Sequence, residues 1–414
     1  MAKLVDITGK AVSGEWGTDD VDGVGIPVLR TTNFTNEGVI NYENVVTRMI
    51  IKKDIEKKYL KSGDIIIEKS GGSDKQPVGR VVFFEGPEHK FLFNNFTGIL
   101  RIKDKEKWNP KYVFYTLFSN YRRGITRAFE NRTTGLHNLK TDDYVSRIEV
   151  KDIAFEEQTD ICKKLDMIHR IIKFQEEQLF KYDVLIKSRF VELFGDPVCN
   201  SFNLPEATLP ELGEFGRGVS KHRPRNDPEL LGGSYPFIQT GEIATADLYI
   251  TSYASTYSEL GFQQSKMWKK GTLCITIAAN IAKTAILDFD ACFPDSIVGF
   301  NANEKTNNIY IHYWFSFFQT ILEAQAPESA QKNINLKILS ELKVIVPPME
   351  IQKDFIIFVQ NVDKLKVGFF WRKYYAVERT VYVFCLADGK YYIISLSKVQ
   401  KQELAGRGVP EFFC

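Results

Sequence analysis

The chain has 414 residues, too many for one hydrophobic core and enough for two domains with connecting helices. Its 44% hydrophobic and 26% charged residues are those of an ordinary globular protein, and a net charge of +2 excludes a general polycation, so any basic surface must be local. Six cysteines stand singly at 162, 199, 274, 292, 385 and 414, and five histidines lie far apart, which argues against a zinc site and against disulfides. No leader-like segment opens the chain and no apolar run reaches membrane-spanning length, so a reducing, cytoplasmic setting without membrane contact is expected.

Short strand-like runs come first, Asp64-Ile65-Ile66-Ile67 and Arg80-Val81-Val82-Phe83-Phe84 among them, punctuated by Gly, Asp and Asn turns. A helix-like aromatic stretch from Pro110 to Ile125 follows, then a polar loop and the β-branched run Ile148-Glu149-Val150. Segment 101–151 carries 12 Lys or Arg against 6 Asp or Glu, one of two local basic concentrations. A long helix is expected over about 155–194. Its apolar positions Ile161, Leu165, Ile168, Ile172, Leu179, Ile186 and Leu193 alternate steps of three and four, with Gln175, Tyr182 and Arg189 in the remaining seam positions. At ~1.5 Å per residue it spans roughly 50–60 Å, and Gly195-Asp196-Pro197 stops it. A stripe this narrow is a coiled-coil strand rather than a core helix, and it needs a partner.

After the stop the text repeats. Leu4-Val5-Asp6-Ile7 has a counterpart in Leu212-Gly213-Glu214-Phe215, and Ile26-Pro27-Val28-Leu29-Arg30 in Tyr235-Pro236-Phe237-Ile238-Gln239. Gly135 to Lys140 corresponds to Lys332 to Lys337, and Phe155-Glu156-Glu157-Gln158 to Met349-Glu350-Ile351-Gln352. The order holds while the offset falls from about 208 to 194, which makes this a two-domain duplication and not a solenoid. The second basic concentration, Arg217, Lys221, His222, Arg223 and Arg225, lies near the start of this copy. Phe355, Phe358, Val362 and Leu365 begin a partner helix. From Val367 the sequence turns aromatic and strand-like, with a hairpin expected around Ala387-Asp388-Gly389-Lys390, so the distal helix is expected to be short.

Duplicated α/β domains, each followed by a long helix, resemble the specificity subunit of type I restriction–modification systems. Asp183 to Pro197 resembles the end of that family's central helix, and Glu156 to Gln158 and Glu350 to Gln352 resemble the openings of its two spacer helices. The resemblance covers roughly 1–366. It implies an α/β (α+β) fold with two target recognition domains, 1–153 and 197–348, joined by long antiparallel coiled-coil spacer helices at 154–196 and 349–366, and an atypical tail at 367–414. It implies a non-catalytic DNA-binding subunit in which each domain reads half of a bipartite sequence in double-stranded DNA. Two methyltransferase subunits would dock on the helices and a restriction subunit could join. S-adenosylmethionine, ATP and Mg would then belong to those partners and no cofactor to this chain. Because the distal helix is expected to be short, a recombined, inactive allele is the alternative, as is a specificity subunit of a related methylating or phage-defence complex.

DNA reading requires phosphate anchors and a few side chains on base edges, with Arg and Lys suited to guanine and Asn and Gln to adenine. In the first domain the candidates are Arg30, Thr31, Thr32 and Asn33, then Lys69, Lys75 and Gln76, then Arg132, Thr133, Thr134, His137 and Asn138. In the second they are Lys221, Arg223, Arg225, Gln239, Thr240, Asn280, Lys283, Gln331, Lys332, Asn333 and Asn335. Positions that differ between copies, such as Arg30 against Gln239, suit sequence discrimination. Asn138 and Asn335 occupy equivalent places and suit turns common to the fold; His137 is given no acid–base role. Arg122, Arg123 and Arg127 suit phosphate contact or a solvated helix face. An enzyme reading finds no support: GxxxxGK[ST], the Asn/Asp-Pro-Pro-aromatic methyltransferase motif and a metal-holding acid-x-Lys arrangement at Pro294-Asp295 and Glu304-Lys305 are all absent.

Overall fold

A computed structural model describes residues 1–383, apart from 52–53, 75, 134–135, 223, 225–226, 279–280 and 326–335. Contacts divide the described chain into two compact units, one built on Met1–Lys173 and the other on Phe174–Tyr374.

In the first unit an antiparallel sheet takes the order Val12–Ser13, Thr97–Leu100, Ile65–Glu68, Val81–Phe83. Ile65–Glu68 is buried along its whole length because its two faces serve two cores. Ile65 and Ile67 join Leu100, Val81 and helix α1 (Pro110–Arg122), whereas Ile66 joins Val82, Ile99, Phe84 and Phe93 on the other side. A second sheet pairs Ile26–Leu29 in parallel with Leu92–Phe93. Asn109 caps α1, its side chain accepting from the Lys111 N–H at 3.0 Å, and Pro110 follows at the first helical position.

The second unit repeats this plan. Gly213–Arg217, Ile297–Ala302, Leu273–Thr276 and Thr284–Leu287 take the same sheet order, and Leu231–Phe237 pairs in parallel with Ala291–Cys292. Each unit closes with an antiparallel pair, Ala2–Lys3 with Glu149–Val150 and Glu206–Thr208 with Lys343–Ile345. The duplication read from the sequence is thus a duplication of strand order.

Helix α2 runs Phe155–Phe194. All ten seam positions named above are buried or half-buried, and Gly195, at φ 73°, ends the helix in a conformation suited to glycine. Within the second unit its distal half lies antiparallel to helix α4 (Met349–Val383), α3 being Asn308–Gln325. Phe190 and Phe194 meet Phe355 with ring centroids 5.4 and 5.5 Å apart, Arg189 stacks on Phe358 at 5.8 Å, and Asp183 reaches Lys366 at 2.7 Å. Partner numbers rise along one helix as they fall along the other.

The expected end of the distal helix at Lys366 is corrected: α4 continues to Val383. Aromatic and β-branched residues after Val367 favour a strand by local propensity, but no proline interrupts the run, and propensity is a weak guide against helix continuation. Thr380 to Val383, read as part of a hairpin, are helical, and the rest of that hairpin lies outside the described residues.

Lys366, 8% exposed, draws three carboxylates together: Asp183 of α2, Asp247, and Asp363 one turn back at 3.9 Å. Burial works against its ammonium, but the bonds to Asp183 and Asp247 outweigh this and raise its pKa. The Asp363 carboxyl is pushed up to about 6, first by burial, which Lys366 partly offsets while Asp247 and Asp183 add smaller repulsions.

Candidate nucleic-acid interface

Arg30 to Asn33 form a short 3-10 turn at the end of Ile26–Leu29. Asn33 is buried. Its Oδ1 accepts from the Arg30 N–H at 2.9 Å, and its Nδ2 donates to the carbonyls of Asn41 and Glu43, so its amide shapes the turn and is withdrawn from solvent. Thr32 is exposed and Arg30 and Thr31 half-buried, with Arg30 Nε lacking a hydrogen-bond partner.

The turn is braced from below. Arg80 donates from Nε and Nη2 to the Glu68 carboxylate at 3.2 and 3.1 Å, and from Nη1 and Nη2 to the carbonyls of Phe34 and Thr31 at 3.1 and 3.0 Å. Glu68 is buried at the end of its strand, so the bidentate pair fixes the turn to the sheet. Gln76, with its amide turned to satisfy both groups, accepts from Arg80 and joins the brace. Sequence reading missed this role for Arg80, although a lone arginine heading a buried strand calls for a carboxylate partner.

The polar stretch expected as a loop is a hairpin, Glu130–Thr133 with Leu136–Leu139, whose second strand also pairs with Ser70–Gly72. Backbone pairing holds it, so polar side chains are no obstacle. Thr134 at its tip and Lys75 lie outside the described residues, and for Arg132 and Thr133 only the backbone is described. His137 is buried between Glu130 and Asp74, at 3.4 and 3.8 Å, and Asn138 is half-buried at a register shift. Lys69 donates to Ser13 Oγ at 2.6 Å, and burial, then Lys58, lowers its pKa. Arg122 and Arg123 are exposed at the end of α1; Arg127 reaches the Asp74 carbonyl at 3.2 Å.

The second unit builds the same turn with different side chains. Gln239 follows Leu231–Phe237 and precedes the short helix Thr240–Thr245, as Arg30 precedes its own turn. The Glu242 carboxylate accepts from the Gln239 N–H at 3.2 Å, in the place where Asn33 accepts from Arg30. Gln239 is exposed and Thr240 half-buried. The basic segment is tied at its start, where Gln264 Oε1 accepts from the N–H groups of Lys221 and His222 at 2.6 and 3.0 Å. It is tied again where His222 Nε2 meets Asp227 at 3.0 Å. The Asp227 pKa is lowered by the Glu229 N–H, then by His222. Lys221 is exposed, whereas Lys283 is half-buried, its backbone locked to Thr276. Arg223, Arg225, Asn280, Gln331, Lys332, Asn333 and Asn335 lie outside the described residues.

Among the described residues there is no group of His, Cys, Asp or Glu able to hold a metal, and no helix long and apolar enough to cross a membrane. What the geometry offers is two copies of one α/β frame, each presenting a braced polar turn whose side chains differ.

Residues 206–369 match the family model described as type I restriction modification DNA specificity domain. Over 376 residues the chain is 22% identical to a type I restriction enzyme MjaX specificity subunit from Methanocaldococcus jannaschii, spanning 88% of this chain and 86% of the relative. It is similar in fold to the type I S subunit from M. genitalium, with TM-score 0.50, 15% identity, and coverage of 92% of this chain and 94% of that one. A chain from a structure of type I system assembly and conformational transition gives TM-score 0.54 at 14% identity, covering 92% and 95%. Residues 206–369 thus carry a match to a DNA specificity domain, and over most of its length the chain is similar to type I restriction–modification specificity subunits.

Proposed function

We propose that each α/β unit reads one half of a bipartite target in double-stranded DNA and that the long helices dock methyltransferase subunits. The observation that carries this is the equivalence of Arg30 and Gln239: same place after the same strand, same backbone capture by the third residue on, different side chain. Guanidinium suits guanine O6 and N7, and an amide suits adenine N6 and N7, so the two turns are fitted to different half-sites. Exposed Arg122, Arg123, Arg217 and Lys221 supply phosphate anchors. Helix α2 also exposes Met167, Ile171, Phe174, Phe180, Leu185 and Val191, an apolar surface in keeping with a protein partner. S-adenosylmethionine, and any ATP and Mg used by a restriction subunit, would be carried by those partners.

The test is methylome sequencing of cells expressing the chain with its methyltransferase subunit. A bipartite motif is the expected mark. Arg30→Gln should alter one half of that motif and leave the other half intact; a change in both halves, or a continuous motif, would overturn the reading.

A further inference from the structure

We infer that Gln158 and Gln352 are paired positioning residues that lock each recognition unit to the start of its own helix and thereby confine DNA recognition to one half-site spacing. The inference rests on the bipartite reading above.

Both glutamines are fully buried in the first turn of a long helix, Gln158 in α2 and Gln352 in α4. A side-chain amide taken wholly out of water must have its donors and acceptor met. Both do so in the same way. Gln158 Nε2 donates to the carbonyl of Ile153 at 2.9 Å and to that of Lys107 at 3.0 Å. Gln352 Nε2 donates to the carbonyl of Pro347 at 2.9 Å and to that of Lys305 at 3.1 Å. In each copy one carbonyl lies five residues back, where the chain leaves the α/β unit. The other belongs to the segment that enters the aromatic helix, α1 or α3. The acceptor oxygen completes the clasp from that same segment: Gln158 Oε1 takes the Asn109 N–H at 2.9 Å, and Gln352 Oε1 takes the Thr306 hydroxyl at 3.1 Å.

The mechanical content lies in where these partners sit. Beyond the covalent link, apolar side chains seat each helix on its unit, Cys162 and Leu165 on the first and Phe355 and Val359 on the second, non-directional contacts that leave small rotations open. The glutamine adds an attachment to a segment some fifty positions away in sequence and removes that freedom. One additional base pair between half-sites displaces the second by roughly 3.4 Å and turns it by roughly 35° about the duplex axis. A unit clasped in this way resists that turn, whereas one seated by apolar contacts alone yields to it more readily.

The experiment compares wild-type, Gln158→Met, Gln158→Glu and Gln352→Met chains, each with the methyltransferase subunit, by methylome sequencing. The readout is methylation at the native spacing relative to the same half-sites one base pair closer or farther apart. The Met variants lose every amide bond at nearly constant volume. The Glu variant keeps an acceptor but sets a carboxylate against two carbonyls. Discrimination between spacings is expected to fall roughly tenfold or more with half-site sequences unchanged, and Gln352→Met should act as Gln158→Met does. If either Gln158 variant fails to accumulate as folded chain, the other and Gln352→Met report the same ratio from intact protein. Uniform loss of methylation at all spacings, or an unchanged ratio, would mean that the glutamines merely stabilise the fold. A wild-type chain that marks no bipartite motif would overturn the underlying reading and the clasp's role with it.

Discussion

Asp363→Asn should make the second unit more stable at neutral pH and no more stable in acid. Asp363 Oδ1 is buried with no hydrogen-bond partner, and its nearest cation, Lys366 at 3.9 Å, is already held by Asp183 and Asp247. Its carboxyl is therefore raised from 3.8 to about 6. A raised folded-state pKa means that the folded chain binds the proton more tightly than the unfolded chain. The associated stability is complete below 3.8, declines as pH rises and is gone above about 6. Two units at ~1.36 kcal/mol each give an upper bound of roughly 3 kcal/mol. The side chain is 26% exposed, and allowing for solvent screening brings this to about 1–2 kcal/mol. An asparagine carries no charge to desolvate and should recover that amount, about 2–8 °C in Tm for a unit of this size. Thermal unfolding of both chains at pH 4.5, 6 and 7.5 checks it, the quantity of interest being the variant-minus-wild-type difference at each pH. A variant less stable at pH 7.5, or a difference that does not change with pH, would show that Asp363 is a paired carboxylate and that the reasoning is wrong.

Three further outcomes follow from the same geometry. Arg80→Met leaves the Glu68 carboxylate buried and unpaired, and should lower stability by roughly 3–5 kcal/mol in urea titrations; adding Glu68→Leu should recover much of it, since both charges are then gone. The His312 imidazole, bonded to Thr284 Oγ1 at 2.9 Å, is lowered to about 4 by burial, then by Lys366. Its contribution to stability is therefore present above 6.5 and lost as pH falls through 4, and an NMR titration should find the ring still neutral at pH 5.5. Burial pushes the Cys162 thiol up to about 12 and raises Cys274 and Cys292 as well, while Cys199 is exposed. Of these four, Cys199 should be alkylated first at pH 7.5, as read by peptide mass spectrometry.

The duplication was legible in the sequence because apolar strands keep their spacing when the surface changes: Ile65 and Leu273 fill equivalent core positions in equivalent strands. The α2 seam was legible for a similar reason, since its ten positions are buried or half-buried whatever the helix carries outside. The hairpin at 130–139 was not, because its pairing is made by backbone groups that polar side chains neither advertise nor prevent. The extent of α4 was misread because aromatic and β-branched residues locally favour strands, a preference too weak to end a helix already begun. Within the Arg30 to Asn33 turn, residue type marked Asn33 as a candidate, but its neighbours at Asn41 and Glu43 decide its use, and the sequence places them eight and ten residues off with no hint of contact.

The division of labour in that turn bears on how such a protein can change what it recognises. Backbone capture by Asn33 or Glu242, and in the first unit the Arg80 brace, hold the shape of the turn. On the proposed reading, a codon change at Arg30 or Gln239 would rewrite a letter of the target while the captured backbone keeps the turn in place. On that reading, innovation in recognition and preservation of the fold are separable, and a lineage would explore the first with little risk to the second.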